Sequence, residues 1–416
     1  MPPRAGPPRV DGVTELHVLY AVVGLAAVAL ALLSRRLRDL PVSEVLVALV
    51  LGVALGPAAL GWITLTEGTR DVVLLEGSRV LLAASVMAAA LRYPVRSLAA
   101  IVRPTALLLL VAMPLAAALA GAAAMLVGLP LALAAVVGAC LSPTDPVLAS
   151  AVVTGTPAER DLPRRLRQLL TTESGANDGL ALPLVGLAVA VAVPGPDLGG
   201  VVGRVAWEVV GGVAIGAAVG TLTAWGRRRA TAHHDLEPGP ELVLTLLLAL
   251  GTLGLARVAQ TGGVLAVFVA GLAYTLASGP EVGDDDHGRT AQDRVDEAVN
   301  RYAVLPLFAL LGAVLPWDGW RELGPGAAGL VLGALLLRRL PVVLALARPL
   351  GLRRRDAVFT GWFGPMGLSA IFYLAHARHE GVTDERVFAA GTLVVAASVV
   401  VFGLTASPGR RVYAAR

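Results

Sequence analysis

Apolar blocks of about twenty residues, built mainly from Leu, Val, Ala and Gly, alternate along the chain with short connectors rich in arginine, proline and glycine. That block length is what an α-helix needs to cross the roughly 30 Å hydrocarbon core of a bilayer. The blocks lack the two-residue alternation of barrel strands, so helices are expected throughout. They predict about thirteen spans, at roughly 16–33, 43–60, 72–91, 104–127, 131–153, 166–193, 201–224, 241–259, 263–278, 302–316, 327–346, 357–376 and 387–405. Each span hydrogen-bonds its own backbone and buries its sides against lipid or other spans, so no soluble core is required. The expected fold class is all-α and polytopic, a single membrane domain over residues 1–416.

Composition strengthens this reading. Apolar residues make up 56% of the chain and charged residues 15%, with a mean hydropathy of +0.74, too apolar for a soluble domain of this length. The net charge of +4 does not point to nucleic acid, because the arginines sit between apolar blocks rather than along one soluble face. Alternate connectors, from Arg35, Arg36 and Arg38 to Arg410, Arg411 and Arg416, hold about 23 arginines. The opposite side holds about seven: Arg4, Arg9, Arg70, Arg257, Arg321, Arg378 and Arg386. The arginine-rich side is therefore expected to be cytoplasmic, with the N-terminus outside and the C-terminus inside.

The first block is too long for a signal-peptide core and is expected to remain a span of a multi-pass cell-membrane protein. Cys140 cannot form an internal disulfide and reads as a small apolar residue. The longest polar stretch, Ser278 to Arg301, reads as a cytoplasmic loop with an acidic run at 284–286; a regulatory cation or pH site with His287 is the sharper alternative. His233 and His234 have no carboxylate or cysteine at ligand spacing, so no resident metal or other cofactor is expected.

Polar and ionisable groups inside apolar spans are costly in lipid and are read first as functional. One such segment is Ser142-Pro143-Thr144-Asp145-Pro146 in the fifth span. Its prolines remove amide donors and push Asp145 away from helical dihedrals, so the helix should break there. Broken helices expose carbonyls and oppositely signed helix ends, the means by which transporters hold small ions. The second segment is Glu173-Ser174-Gly175-Ala176-Asn177-Asp178-Gly179. At 100° per residue Ser174 and Asp178 stack on one face, with Glu173 and Asn177 stacked beside them. Asp178 with Ser174 suits a hard cation, which takes oxygen ligands; Glu173 with Asn177 suits a brace to another helix. Glu76 and Arg79 form a possible pair in the third span. Arg338 and Arg339 in the eleventh need an anion, with Arg338 the preferred partner of Glu173.

At these residues the sequence resembles the sodium/proton antiporters of the NhaP and NHE type, in the monovalent cation/proton antiporter superfamily. The resemblance runs through Leu33-Ser34-Arg35-Arg36, Ser142 to Val147, Glu173 to Gly179, Gly263 with Ala266 to Leu272, and Gly361-Trp362-Phe363-Gly364-Pro365-Met366-Gly367. Many relatives have arginine where this chain has Met366. The form seen here is similar to the subgroup that includes fungal plasma-membrane alkali-cation antiporters. The resemblance implies an inverted-repeat fold whose broken helices cross at the midplane. It also implies scaffold and homodimer spans at about 16–91 and 241–316, an ion-transporting core at about 104–193 and 327–405, and a linking helix at 201–224.

By resemblance, Asp178 and Asp145 carry the exchanged Na+ (or K+ or Li+) and H+, Ser174 and the main chain of Thr144 complete the cation shell, and Glu76 supports the site. Glu173, Asn177 and Arg338 form the bracing network. The order Asn177-Asp178 further implies one proton per cation. Proton and cation then compete for one buried carboxylate, and alternating access turns that competition into exchange without bond chemistry. No Gly-rich nucleotide-binding loop is present, so the chain is expected to draw on ion gradients and not to be an enzyme. A cation channel built on the same carboxylates, and a symporter or sensor built on a transporter fold, are the rival readings.

Overall fold

The computed structural model describes residues 12–33, 42–91, 98–153, 155–193, 198–233, 235, 238–278 and 303–415. Several expectations lie outside the described residues: the arginines at 35, 36, 38, 92, 96, 289, 294 and 301, His234, and the acidic run with His287.

Every apolar block becomes helix. The unbroken ones are α1 (Gly12–Leu32), α2 (Glu44–Leu55) and α3 (Glu67–Leu91), followed by α4, whose segments Leu98–Leu107 and Met113–Ala124 are joined by a π-turn. That π-turn, Leu108–Ala112, lies between Pro104 and Pro114, where missing amide donors interrupt the regular ladder. Farther along come α6 (Arg164–Ala192), α7 (Leu198–Ala232), α8 (Pro238–Val258), α9 (Gly263–Ser278), α10 (Leu305–Ala313) and α13 (Glu385–Ala414). Among the described residues, seven helices of at least 18 residues are apolar enough to cross a membrane, and four apolar helices are shorter.

Three blocks are interrupted in mid-course. The fifth divides into α5a (Leu131–Cys140) and α5b (Pro146–Val153). The twelfth divides into α12a (Arg354–Trp362) and α12b (Leu368–His379). The eleventh, α11, runs from Gly326–Leu332 through a π-turn at Gly333–Leu337 to Leu340–Ala345, with Arg338 and Arg339 at the interruption and Pro341 just after it. The break at 142–146 was legible in its prolines; that at 338–339 was not.

Close packing fixes the rest. A Cβ on Gly52 would enter the carbonyl of Ala309, and one on Gly312 would enter that of Leu49, so α2 and α10 meet backbone to backbone. α3 packs against α9, α6 and α12b, and α7 lies along α9. The connectors gather at two opposite ends. At one end Arg378 pairs with Asp71 at 2.8 Å, Arg204 pairs with Glu380 at 2.8 Å, and Trp207 donates to the Ala259 carbonyl. At the other end Arg410 pairs with Asp161 at 3.1 Å, Tyr413 donates to Asp356, and Ser43 donates its backbone N–H to the Gly403 carbonyl.

Candidate ion-binding site

The two broken helices meet at Asp145. This residue precedes Pro146, which fits the first turn of α5b because it has no N–H to leave unpaired. The carboxylate caps that turn: Oδ1 accepts from the backbone N–H groups of Val147 at 2.7 Å and Leu148 at 3.0 Å. Oδ2 accepts from the N–H of Leu368, the first residue of α12b. The Asp145 N–H in turn donates to the Pro365 carbonyl at 2.8 Å. One buried carboxylate thus serves the positive ends of two helices from distant parts of the chain. Gly367 makes room for it: a Cβ there would stand 2.9 Å from Asp145 Cγ, inside van der Waals contact.

The negative ends of the other two half-helices converge on Arg338. Its Nη1 donates to the carbonyls of Leu141 at 2.6 Å, Ser142 at 2.9 Å and Pro143 at 3.3 Å, beyond α5a. Its Nη2 donates to the carbonyl of Gly364, beyond α12a. The side chain is 1% exposed, so these carbonyls stand in for the water that a guanidinium otherwise requires. The expected pairing of Arg338 with Glu173 is therefore corrected. Arg339 takes that partner, with Nη2 at 2.7 Å from Glu173 Oε2 and Nη1 on Oε1 in a two-pronged bridge, while its Nε donates to the Thr360 carbonyl at 3.0 Å. Regular helical spacing could not separate these neighbours, because the helix is interrupted where they stand.

On α6 the two polar rows also divide their work differently from the expectation. Asn177 leaves the brace: its Nδ2 donates to Thr144 Oγ1 at 2.7 Å, and Thr144 Oγ1 lies 3.2 Å from Ser174 Oγ. Asn177, Thr144 and Ser174 thus form one buried chain of polar atoms between α6 and the break in α5. Asp178, one helical turn after Ser174, is fully buried, and neither of its carboxylate oxygens has a hydrogen-bond donor. Asn177 Oδ1 is likewise buried and unpaired. Tyr373 of α12b donates its hydroxyl to the Asp178 carbonyl and fixes that turn of α6.

The structure brings together Asp145, Thr144, Ser174, Asn177, Asp178, Glu173 and Arg338. It does not bring in Glu76, which pairs with Arg79 and is 54% exposed at its side chain. Ala89, thirteen residues farther along α3, is the residue that touches the site helix at Gly175. That separation is about 20 Å along a helix axis. Met366 is buried, and its backbone N–H donates to Ser398 at 2.8 Å. Cys140 is a fully buried free thiol, as a small apolar residue would be. Sequence reasoning placed Arg339 behind Arg338 and missed Tyr373, a polar residue in an apolar block, which is the signal that could have found it.

A family model described as "Sodium/hydrogen exchanger, transmembrane" matches residues 23–409. The Na(+)/H(+) antiporter 2 of Zygosaccharomyces rouxii is 34% identical over 379 residues, covering 86% of this chain and 46% of that protein. The Na(+)/H(+) antiporter NhaP of Pseudomonas aeruginosa is 28% identical over 285 residues, 66% of this chain and 65% of its own. The chain spans less than half the length of the Zygosaccharomyces relative. Among solved structures, the sodium proton antiporter MjNhaP1 from Methanocaldococcus jannaschii at pH 8 superposes with a TM-score of 0.73 at 18% identity, covering 96% of this chain and 98% of that one. The longer fungal match agrees with the expectation drawn from the segment around Met366, and the fold is that of these antiporters. The chain is a multi-pass membrane protein and belongs to the transmembrane sodium/hydrogen exchanger family, a family of transporters and not of enzymes.

Proposed function

We propose that this chain exchanges a monovalent cation for a proton across the cell membrane, with both competing for Asp178. The observation that carries this reading is the contrast in hydrogen bonding. Asp145 spends its oxygens on three backbone N–H groups, whereas Asp178 is buried beside it with both oxygens unpaired. A buried acceptor without a donor is costly, by about 1–3 kcal/mol or more for a charged group, and either a proton or a cation relieves it. Both cannot do so at once. That exclusion is the coupling, and alternating exposure of the occupied site to the two sides yields exchange.

Ser174 and the main chain of Thr144 supply further oxygens, and Asp145 adds charge nearby. Glu173 with Arg339 ties α6 to α11 and α12a, so that the site moves with them. The relatives are named for Na(+)/H(+) exchange, which makes sodium the first cation to test. The proposed arrangement includes a homodimer built on the spans at 16–91 and 241–316. It also has a moving core at 104–193 and 327–405, a linking helix at 201–224, an external N-terminus and a cytoplasmic C-terminus.

The test is a pH-gradient assay in reconstituted vesicles. Added Na+, Li+ or K+ should collapse the gradient with the unaltered protein and fail to do so with Asp178→Asn, while that variant elutes and melts like its parent. Cation-driven collapse at the parental rate in the variant would end the assignment.

A further inference from the structure

Ser369 is fully buried, and its hydroxyl has no hydrogen-bond partner. A helical serine can return its hydroxyl to a carbonyl three or four residues earlier; Ser369, like Ser85 in α3, does not. Ser78 and Thr392 do so in this chain. Ser369 is the second residue of α12b, so the corresponding positions, Pro365 and Met366, lie outside the helix. The Pro365 carbonyl is moreover already bonded to the Asp145 N–H. Denied that bond, the hydroxyl faces the Asp178 carboxylate. Tyr373, one turn later on the same face of α12b, bonds the Asp178 carbonyl and fixes this approach.

We infer that Ser369 is a ligand of the transported cation, contributed by the second broken helix, and that it sets which monovalent cation the site prefers. The inference rests on the reading of Asp178 as the exchange site. Four buried oxygens on three side chains then lack donors: both carboxylate oxygens of Asp178, Oδ1 of Asn177 and Oγ of Ser369. The oxygens of Asp178 and Ser369 face one another and form an all-oxygen set, which is the coordination of a hard cation. The set carries one negative charge, that of Asp178, while the Asp145 carboxylate nearby is taken up by three backbone N–H groups. A single positive charge is neutralised there, whereas a divalent ion would leave a net charge buried. Ser369 serves both occupants: its oxygen completes the shell of the cation, and it accepts the O–H of Asp178 when a proton replaces the cation. Because it stands on a different helix from Ser174 and Asp178, the distance between α12b and α6 fixes the diameter of the shell.

The experiment is the vesicle assay with Na+, Li+ and K+ titrated separately, together with 22Na+ binding to the purified protein. Ser369→Ala should raise the KM for Na+ roughly tenfold with kcat within about twofold, weaken 22Na+ binding to match, and leave the melting temperature unchanged. Ser369→Thr keeps the oxygen and fills space. It should retain Na+ binding while raising the KM for K+ more than that for Li+, which gives a readout independent of the alanine variant. Parental KM values and cation order in both variants would overturn the inference, as would a fall in melting temperature with no change in KM. An unaltered protein that shows no cation-driven collapse would instead overturn the Asp178 reading itself.

Discussion

The crossing of the broken helices and the middle of α6 lie side by side and equally buried, each built around an aspartate, yet they treat it in opposite ways. Asp145 is held by three N–H donors from two helix ends, and Arg338 gathers the carbonyls of the complementary ends. Asp178 has no backbone donor and no formed hydrogen bond at either carboxylate oxygen, only the Ser369 hydroxyl facing it. A satisfied buried polar group is a structural fixture, and an unsatisfied one calls for an explanation. Under the proposed function, the difference separates the part of the molecule that keeps its shape from the part that takes cargo.

The largest effect that could break this comparison is functional. Asp178→Asn should abolish cation-driven proton movement and leave thermal stability intact, because it removes no hydrogen bond. Asp145→Asn should lower stability by about 1–3 kcal/mol, since an amide cannot accept at both ends from Val147, Leu148 and Leu368. Equal losses of melting temperature in the two variants would contradict the division. Next in size is Arg338→Met, which leaves four buried carbonyls without donors and two helix ends uncompensated. A loss of about 3–5 kcal/mol is expected in thermal unfolding in detergent, comparable to breaking a buried pair. Arg339→Lys keeps the charge but not the two-pronged fit to Glu173, and should cost about 1–3 kcal/mol, less than loss of Arg338.

The smallest effect supplies a third carboxylate as a control. Asp161, in the connector before α6, lies between Arg160 at 2.9 Å and Arg410 at 3.1 Å. Its hydrogen bond to Arg160, and after it that to Arg410, hold its carboxyl below the usual carboxylate range. A depressed value in the folded state means that the pairing stabilises the fold above the unfolded pKa of about 3.9 and fades as pH falls through the lower folded value. Asp161→Asn should therefore lower the melting temperature slightly at pH 7, with the difference shrinking below about pH 4. Exchange should be untouched. A pH-independent difference would show that the carboxylate is not acting as a charge.

Much of this was legible before any coordinates, and for a physical reason. Lipid tolerates neither unpaired backbone nor stray charge, so block length marked the helices, and Pro143, Asp145 and Pro146 marked the break in the fifth span. The paired rows of α6 followed from helical period alone. The failures share a cause. Arg338 and Arg339 stand where α11 is interrupted, and there the period carries no information about direction. Asn177 shares a row with Glu173, yet its amide reaches the neighbouring helix, a choice set by the position of Thr144 and not by α6 itself. Ser369 is polar by one hydroxyl only. Its significance depends on being the second residue of a helix that begins at a crossing, which no local pattern records.

The crossing also has a consequence for how the protein is made. Its bonds join residues far apart in the chain: 223 positions separate Asp145 from Leu368, and 197 separate Leu141 from Arg338. At about 5–20 residues per second, the ribosome needs roughly 10 to 45 seconds to supply Leu368 after Asp145. Through that interval the break in α5, with its carboxylate and open helix ends, waits in or near lipid without its partners. The nascent chain must shelter it, either among the earlier spans or beside the insertion machinery, until α11 and α12 arrive.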